Sequence, residues 1–378
     1  MKKIGLLTFH ASHNNGSMLQ AYALQHVIET RYKHCVEMID FSNRAQQIMY
    51  SPIPKPDNFR RVIKAFIWLT NSRQLKKSYR QYDEFKNKYF NLSKNKYSTS
   101  EELGKEKFDY DLFISGSDQV WNIKCRDADD AYYLNFVPEK AKKYAYATSF
   151  GANNPFEIDG NSNIHKDLVS DFSMVSVREK NAQKWIMEAL NVEVPMCLDP
   201  TMLLDAEEWD DLLDIDTMKG INKPYIFYYC FSITKDVKRF LRRTSKKYKM
   251  PVYFMDAKEW TLKCCWLNKI KLTKFYGPIA YLNLVKNARI FITTSFHGTA
   301  FATIYKKNFW YIDSGHDISK DDRAVSFLTQ LGLMSRYIKL EKLEGLDLLQ
   351  SPSYQDSYNK LEKLRKNSFN YLDSFLKE

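Results

Sequence analysis

No apolar run in this chain approaches the roughly 20 residues that a bilayer span requires; the longest candidates are residues 65–69 and the aromatic stretch 225–231. A membrane-spanning helix is therefore not expected. The start, MKKIGLLTFHASHNNG, is positive, but its apolar part covers only residues 4–9, too short for a signal-peptide core. There is no C-x-x-C pair among the six cysteines at 35, 125, 197, 230, 264 and 265, and adjacent Cys264 and Cys265 suit neither an ordinary disulfide nor one shared metal. Free thiols in the reducing cytoplasm are expected, in place of a disulfide framework or a zinc site. The chain also lacks G-x-G-x-x-G and the P-loop, which argues against a standard dinucleotide or nucleoside triphosphatase site. No clustered His/Asp/Glu set, internal repeat or low-complexity tract occurs, so no metal is expected.

What is present suits a folded enzyme. With 44% hydrophobic, 15% aromatic and 27% charged residues, the 378-residue chain can bury a sizeable interior. At roughly 150 residues per domain its length calls for two or three units, of which two are assigned below. The net charge of +12 is uneven: residues 55–107 hold 14 Lys/Arg against 6 Asp/Glu, so +8 sits in one stretch. Within it, FRRVIKAFIWLTNSRQLKK sets Phe59, Val62, Ile63, Phe66 and Ile67 at helical spacing among basic residues. Such a helix either lies on an anionic membrane surface, here the inner face of the cell membrane, or packs on its own domain with its lysines in solvent. Nucleic acid is not an expected partner, because no nucleic-acid module accompanies the charge.

KIGLLTF is a short apolar run, followed by the polar HASHNNGS and the helical pattern MLQAYALQHVIE. Strand, loop, helix is how a doubly wound α/β domain opens. HCVEMIDF, residues 112–114, KKYAYATSFGA and MVSV read as further strands, the last leading into a helix near Arg178. CLDPTMLLDAEEWDDLLDI holds a proline turn and a short acidic helix, and the domain boundary falls within 200–222. The second half repeats the alternation, with strands at 224–231, 252–255, 289–293 and FWYID and helices at 236–248, 279–286 and TAFATIYK. The expected fold is α/β with two Rossmann-like domains, residues 1–210 with the basic helical insertion at about 55–107, then 211–350. A helix over 351–378, with Tyr354, Tyr358, Leu361, Leu364, Leu372 and Phe375 on one face, is expected to pack, with the first domain as its candidate surface.

In open α/β sheets, ligands bind beyond the carboxyl ends of the strands, where helix N-termini offer unpaired N–H groups to an anion. Unusual residues gather at those places. In HNNGS, Asn15, Gly16 and Ser17 could hold an oxyanion, Gly16 allowing close approach and Ser17 capping the helix, or form a plain structural cap. In LFISGSDQVWN, Ser117, Asp118 and Gln119 follow a strand; Asp118, with no cation beside it in sequence, is a candidate base for a hydroxyl or simply a helix cap. Ser149 in YATSFGA ends another strand. Arg178 in VSVREK could fork onto a carboxylate or phosphate, and Arg323 in KDDRAVSFL likewise from the other side; Glu179, and Asp321 or Asp322, are the acids that could neutralise them. ARIFITTSFHGTAFAT ends its strand at a turn holding Ser295 and His297, and Gly298 lets a helix begin close by. That aims an imidazole and a helix N-terminus at one spot.

Taken together, NNGSMLQAYAL, FDYDLFISGSDQVWN, YATSFGA, VSVREK, CLDPTMLL and FITTSFHGTAFATIY with its following D-D-R resemble the polysaccharide pyruvyl transferase family, in the family's order over about residues 4–330. The resemblance implies a glycosyltransferase-B-like pair of domains facing a cleft. It implies transfer of the enolpyruvyl unit of phosphoenolpyruvate to two hydroxyls of one sugar, giving a cyclic ketal and phosphate, with no cofactor beyond that donor. The implied acceptor is a sugar of a capsular or cell-envelope polysaccharide, commonly on a polyprenyl-linked precursor. His297 resembles the family's histidine at the donor site, and Arg178 its anion-pairing arginine. Where some members carry an arginine two residues before the histidine, this chain has Ser295, and Arg323 is the substitute cation. On this reading His297 protonates the donor's methylene carbon and Asp118 takes the hydroxyl proton. Three rivals stay open: a nucleotide-sugar glycosyltransferase on the same scaffold, a redox subunit, and a non-catalytic glycan- or membrane-binding module.

Overall fold

The computed structural model describes residues 1–53, 59–138, 140–157, 162–230, 232–313 and 323–377, without the side chains of residues 60, 61 and 162. Lys55, Phe231, Asp321 and Asp322 lie outside the described residues. The first sheet comprises β1 (Lys3–Leu7), β2 (Cys35–Phe41), β3 (Leu92–Tyr97), β4 (Leu112–Ser115), β5 (Lys143–Thr148) and β6 (Met174–Val177), in the order β3-β2-β1-β4-β5-β6. The second comprises β7 (Ile226–Tyr229), β8 (Val252–Phe254), β9 (Ile270–Leu272), β10 (Ile290–Thr293), β11 (Phe309–Asp313) and β12 (Tyr337–Lys339), in the order β12-β11-β10-β7-β8-β9. Every pairing is parallel, for example Ile4 with Leu112 and Ile290 with Ile226. Counted within its own domain, the second sheet repeats the order of the first, and both are the doubly wound, Rossmann-like arrangement. The chain is thus two parallel-sheet α/β domains.

Sequence accounts for the sheet interiors. LFIS of β4 and IFIT of β10 are buried at every position, as a parallel strand covered on both faces must be. The edge strands β3, β9 and β12 have no counterpart in the sequence reading, because their exposed positions break the apolar run, as in LSKNKY of β3. The opening helix, Asn15–Arg31, is capped by Asn14, whose side chain accepts from the Gly16 N–H at 3.0 Å. Ser17 is therefore not the cap; it stands one turn inside, where its hydroxyl is released for another partner.

The last helix, Gln355–Leu376, lies on the first domain. Arg365 donates to the Met202 and Leu204 carbonyls at 2.6 and 2.8 Å, and the Tyr371 hydroxyl to the Ala145 carbonyl at 2.9 Å. Phe375 stacks on Tyr144 with ring centroids 4.2 Å apart. Its packed face runs through Leu361, Tyr371, Leu372 and Phe375, while Tyr358, expected on that face, is left largely open.

The basic helix Phe59–Leu69 meets the helix Ala257–Leu262 of the second domain through buried Ala65 and through Trp68, whose Nε1 donates to the Lys258 carbonyl at 3.3 Å. Its apolar stripe points the other way: Phe59 is 78% and Phe66 73% exposed, with Val62, Ile63 and Leu69 beside them. The helix is docked, yet its most hydrophobic face is not what docks it.

Candidate active site

Both sheets direct their carboxyl ends into one cleft, and charged side chains converge there. Arg178 follows β6 directly. Its Nη1 donates to Asp199 Oδ2 at 2.5 Å, its Nη2 lies 3.5 Å from Asp118 Oδ1, and its Nε lies 3.9 Å from Glu179. The guanidinium also rests on the Phe296 ring, 4.7 Å from its centroid. Asp199 accepts from the Thr201 N–H and hydroxyl at 3.0 and 2.7 Å, and His297 Nε2 approaches its other oxygen at 3.4 Å. Asp118 accepts from the Ser17 hydroxyl at 2.6 Å and from the Gln119 N–H at 2.9 Å. One domain thus brings the carboxylates and the arginine, and the other brings the imidazole.

Local backbone makes the convergence possible. Asp118 and Ala147 adopt left-handed conformations, φ 74° and 46°, at a cost of roughly 1–3 kcal/mol each for non-glycine residues. Asp118 is held there by the Ser149 N–H, which donates to its carbonyl at 3.0 Å. Across the cleft, the helix Phe296–Ile304 is capped by Ser295, so His297 sits in its first turn, buried, instead of on an open turn. A Cβ added to Gly16 would stand 2.1 Å from His297 Nδ1, so only glycine lets the two domains meet at this point.

The sequence profile described as polysaccharide pyruvyl transferase matches residues 14–316. This chain belongs to the polysaccharide pyruvyl transferase family. Membership makes it a transferase, with a sugar acceptor and a pyruvyl donor. No curated protein sequence matches it. Among solved structures it is similar to the UDP-GlcNAc 2-epimerase of Methanocaldococcus jannaschii, 13% identical, covering 98% of this chain and 100% of that one with a TM-score of 0.56. The UDP-N-acetylglucosamine 2-epimerase of Rickettsia bellii is 12% identical over 100% of this chain and 97% of its own, TM-score 0.52. At such identities the likeness carries the glycosyltransferase-B-like fold alone.

In this pyruvyl transferase family member the two carboxylates are anions by design of their surroundings. Burial pushes Asp118 up, but the charges of His297 and Arg178 and the Ser17 hydroxyl outweigh it and hold the carboxyl below its usual range. Asp199 is likewise held below its usual range: burial opposes, while His297, Arg178 and Thr201 outweigh it. Arg178 Nε and Nη2 and His297 Nε2 are buried and make no hydrogen bond among the described residues. Buried polar atoms are rarely left so, and here they border the cleft.

The predicted residues divide in their placement. Gly16, Ser17, Ser117, Asp118, Arg178 and His297 come together; the Ser117 hydroxyl reaches Asp199 at 3.4 Å. Arg323 shares a wall with Arg178, Asp199 and Phe296, and the Gln119 amide lies 2.6 Å from its guanidinium. Ser149 accepts from the Gly151 N–H and shapes its own turn, and Ser295 and Gly298 build the helix start beneath His297. Asn15 faces away from Arg178 toward Tyr229 and Met255, at 3.4 and 3.3 Å. The principal partner of Arg178 is Asp199 rather than Glu179, and Asp118 does have a cation beside it, in space. Asp199 escaped the sequence reading as a site residue; its one signal is the Asp-Pro step of CLDPTMLL, which marks a fixed turn.

Proposed function

We propose that this chain moves the enolpyruvyl unit of phosphoenolpyruvate onto two hydroxyls of one sugar in a polysaccharide or lipid-linked precursor, forming a ketal and releasing phosphate. The observation that carries the reading is His297, presented by the second domain against the Asp199–Arg178–Asp118 cluster of the first. Protonated His297, steadied by Asp199, delivers a proton to the methylene carbon of the donor. Positive character then builds at the central carbon, and a sugar hydroxyl attacks it. Loss of phosphate and attack by the second hydroxyl close the ketal. Of the two hydroxyl protons, one restores the histidine and the other leaves with the phosphate. Asp118 is a weak base at its lowered pKa, so it takes the second of these protons late, once the new C–O bond makes that hydroxyl acidic, and hands it to the departing phosphate. Arg178, Arg323 and the N-terminus of Phe296–Ile304 supply the positive side of the donor site.

The exposed stripe of the basic helix supports a peripheral position on an anionic cytoplasmic membrane face, where a polyprenyl-linked acceptor would reside. Among the described residues no helix is long and apolar enough to cross a membrane.

The test is incubation of the purified chain with phosphoenolpyruvate and candidate lipid-linked sugars, following phosphate release and the carboxyethylidene mass gain. His297→Ala should lower ketal formation by about 100- to 10,000-fold with the fold retained by circular dichroism. Wild-type turnover in that variant removes the acid assignment. Release of a nucleoside diphosphate from a nucleotide sugar, with phosphoenolpyruvate inert, replaces the reading by glycosyl transfer.

A further inference from the structure

Beside the charged cluster lies a second cavity of about 300 Å³, bounded by His13, Asn15, Tyr50, Tyr79, Tyr82 and Tyr229. Its volume is at the low end for small-molecule sites, room for a group of single-ring size. The walls are aromatic: His13 stacks on Tyr82 at 5.2 Å and meets Tyr79 edge-on at 4.7 Å and 69°. Asn15 is 1% exposed, and its side-chain oxygen is buried with no hydrogen-bond partner among the described residues. An unpaired buried amide oxygen calls for a donor from outside the protein.

The cavity is poorly made for an anion. Among the described residues no arginine lines it, and the helix Ala257–Leu262 that starts at its edge has its N-terminus occupied by Asp256, which accepts from the Glu259 N–H at 2.9 Å. Its one lysine, Lys258, donates to the Ser51 carbonyl at 2.7 Å and lies over the Tyr79 ring at 4.9 Å. Burial pushes that amine down to about 8 and pushes the phenols of Tyr79 and Tyr229 up, so the hydroxyls stay neutral donors. His13 and Tyr82 lie directly against each other with no gap for a flat base between them, and Tyr79 stands edge-on to His13, a wall that suits the C–H face of a sugar chair. Neutral hydroxyls of that sugar are the donors Asn15 lacks.

We infer that this cavity is the ring subsite of the acceptor, holding an uncharged pyranose beside the charged donor cluster. The two sites are joined by consecutive residues: Asn15 walls the cavity, and Gly16 lies against His297. A hydroxyl presented at Asn15 would lie one helix residue along from the Gly16 contact with the imidazole. The inference deepens the pyruvyl-transfer reading and rests on it for the direction of the chemistry.

Saturation-transfer NMR on the full chain, with methyl glycosides of glucose, galactose and mannose as probes, tests it without turnover. Tyr79→Ala should weaken glycoside binding about tenfold while Tyr79→Phe keeps it, and phosphoenolpyruvate affinity by calorimetry should change less than about twofold in both. Asn15→Ala, which leaves the ring wall intact, should give the same selective loss if Tyr79→Ala fails to fold. Equal glycoside affinity in the folded variants and wild type overturns the subsite. So does a panel in which no glycoside binds, or in which uridine monophosphate binds more tightly than any. Selective loss of glycoside binding together with absence of transfer from phosphoenolpyruvate keeps the sugar subsite and removes only the pyruvyl reading.

Discussion

The cluster around Arg178 and the helix Phe59–Leu69 are inversions of each other. In the first, an arginine and two aspartates are at most 7% exposed; in the second, Phe59 and Phe66 are more than 70% exposed. Folding alone favours neither, since buried charges lose hydration and exposed phenylalanines lose the gain of burial. The buried charges compensate one another through short contacts, whereas among the described residues nothing covers the helix stripe. The first region thus finds its partners within the protein, while the apolar stripe of the second faces solvent.

The sharpest way to break this comparison is to remove one member of the buried set. Asp199→Ala leaves Arg178 without its closest partner and should cost about 3–5 kcal/mol in urea unfolding. If the cost is below about 1 kcal/mol, the cluster is no more than a surface-type network. The pH dependence carries a sign. Both carboxyl groups titrate lower folded than unfolded, so their contribution is complete above the ordinary aspartate value of about 4. It is lost as pH falls from there through the lowered folded values. Asp199→Asn should flatten that acid limb.

Next in size is Gly16→Ala. The new methyl would press on His297, and displacing a reacting group by about 1 Å can cost about 100-fold in turnover. Overpacking of roughly 1–3 kcal/mol is partly offset by the roughly 1 kcal/mol that alanine gains over glycine in a helix, so stability should fall little. Unchanged kcat would mean that His297 is not held where the reaction needs it.

The smallest effect on the fold is expected at the other pole. Phe66→Ser should shift stability by no more than about 0.5 kcal/mol, yet reduce co-sedimentation with anionic vesicles at low salt. Wild-type protein that ignores such vesicles would leave the exposed stripe without a membrane role.

Much of the fold was legible because each central strand is an unbroken apolar run followed by a polar turn, as in FITTSFHG. Of the four edge strands, β3, β9 and β12 were not, because their exposed positions interrupt the apolar run, whereas β6, MVSV, was. Within the site, Arg178 and His297 could be picked out as polar residues at strand ends. The Asp199 contact could not, because it lies 21 residues away in sequence from Arg178 and depends on a turn whose direction only packing sets. Ser17 was misread for a simpler reason: moving the cap to Asn14 shifts every later residue around the helix, and turns a cap into a partner of Asp118. The cavity rings come from four separate segments and read individually as core.

The final helix gives the molecule a mechanical property. The chain passes between the domains once after Leu213 and again after Tyr354, whose hydroxyl donates to the Ala302 carbonyl at 3.2 Å before the helix runs back across the first domain. The second domain is therefore tied at both its ends, and free swivelling on a single strap is ruled out. A relative rotation of the two domains would have to run about the line between the two crossings. His297 belongs to the second domain and the carboxylates and Arg178 to the first, so any opening between the two would part the imidazole from Asp199.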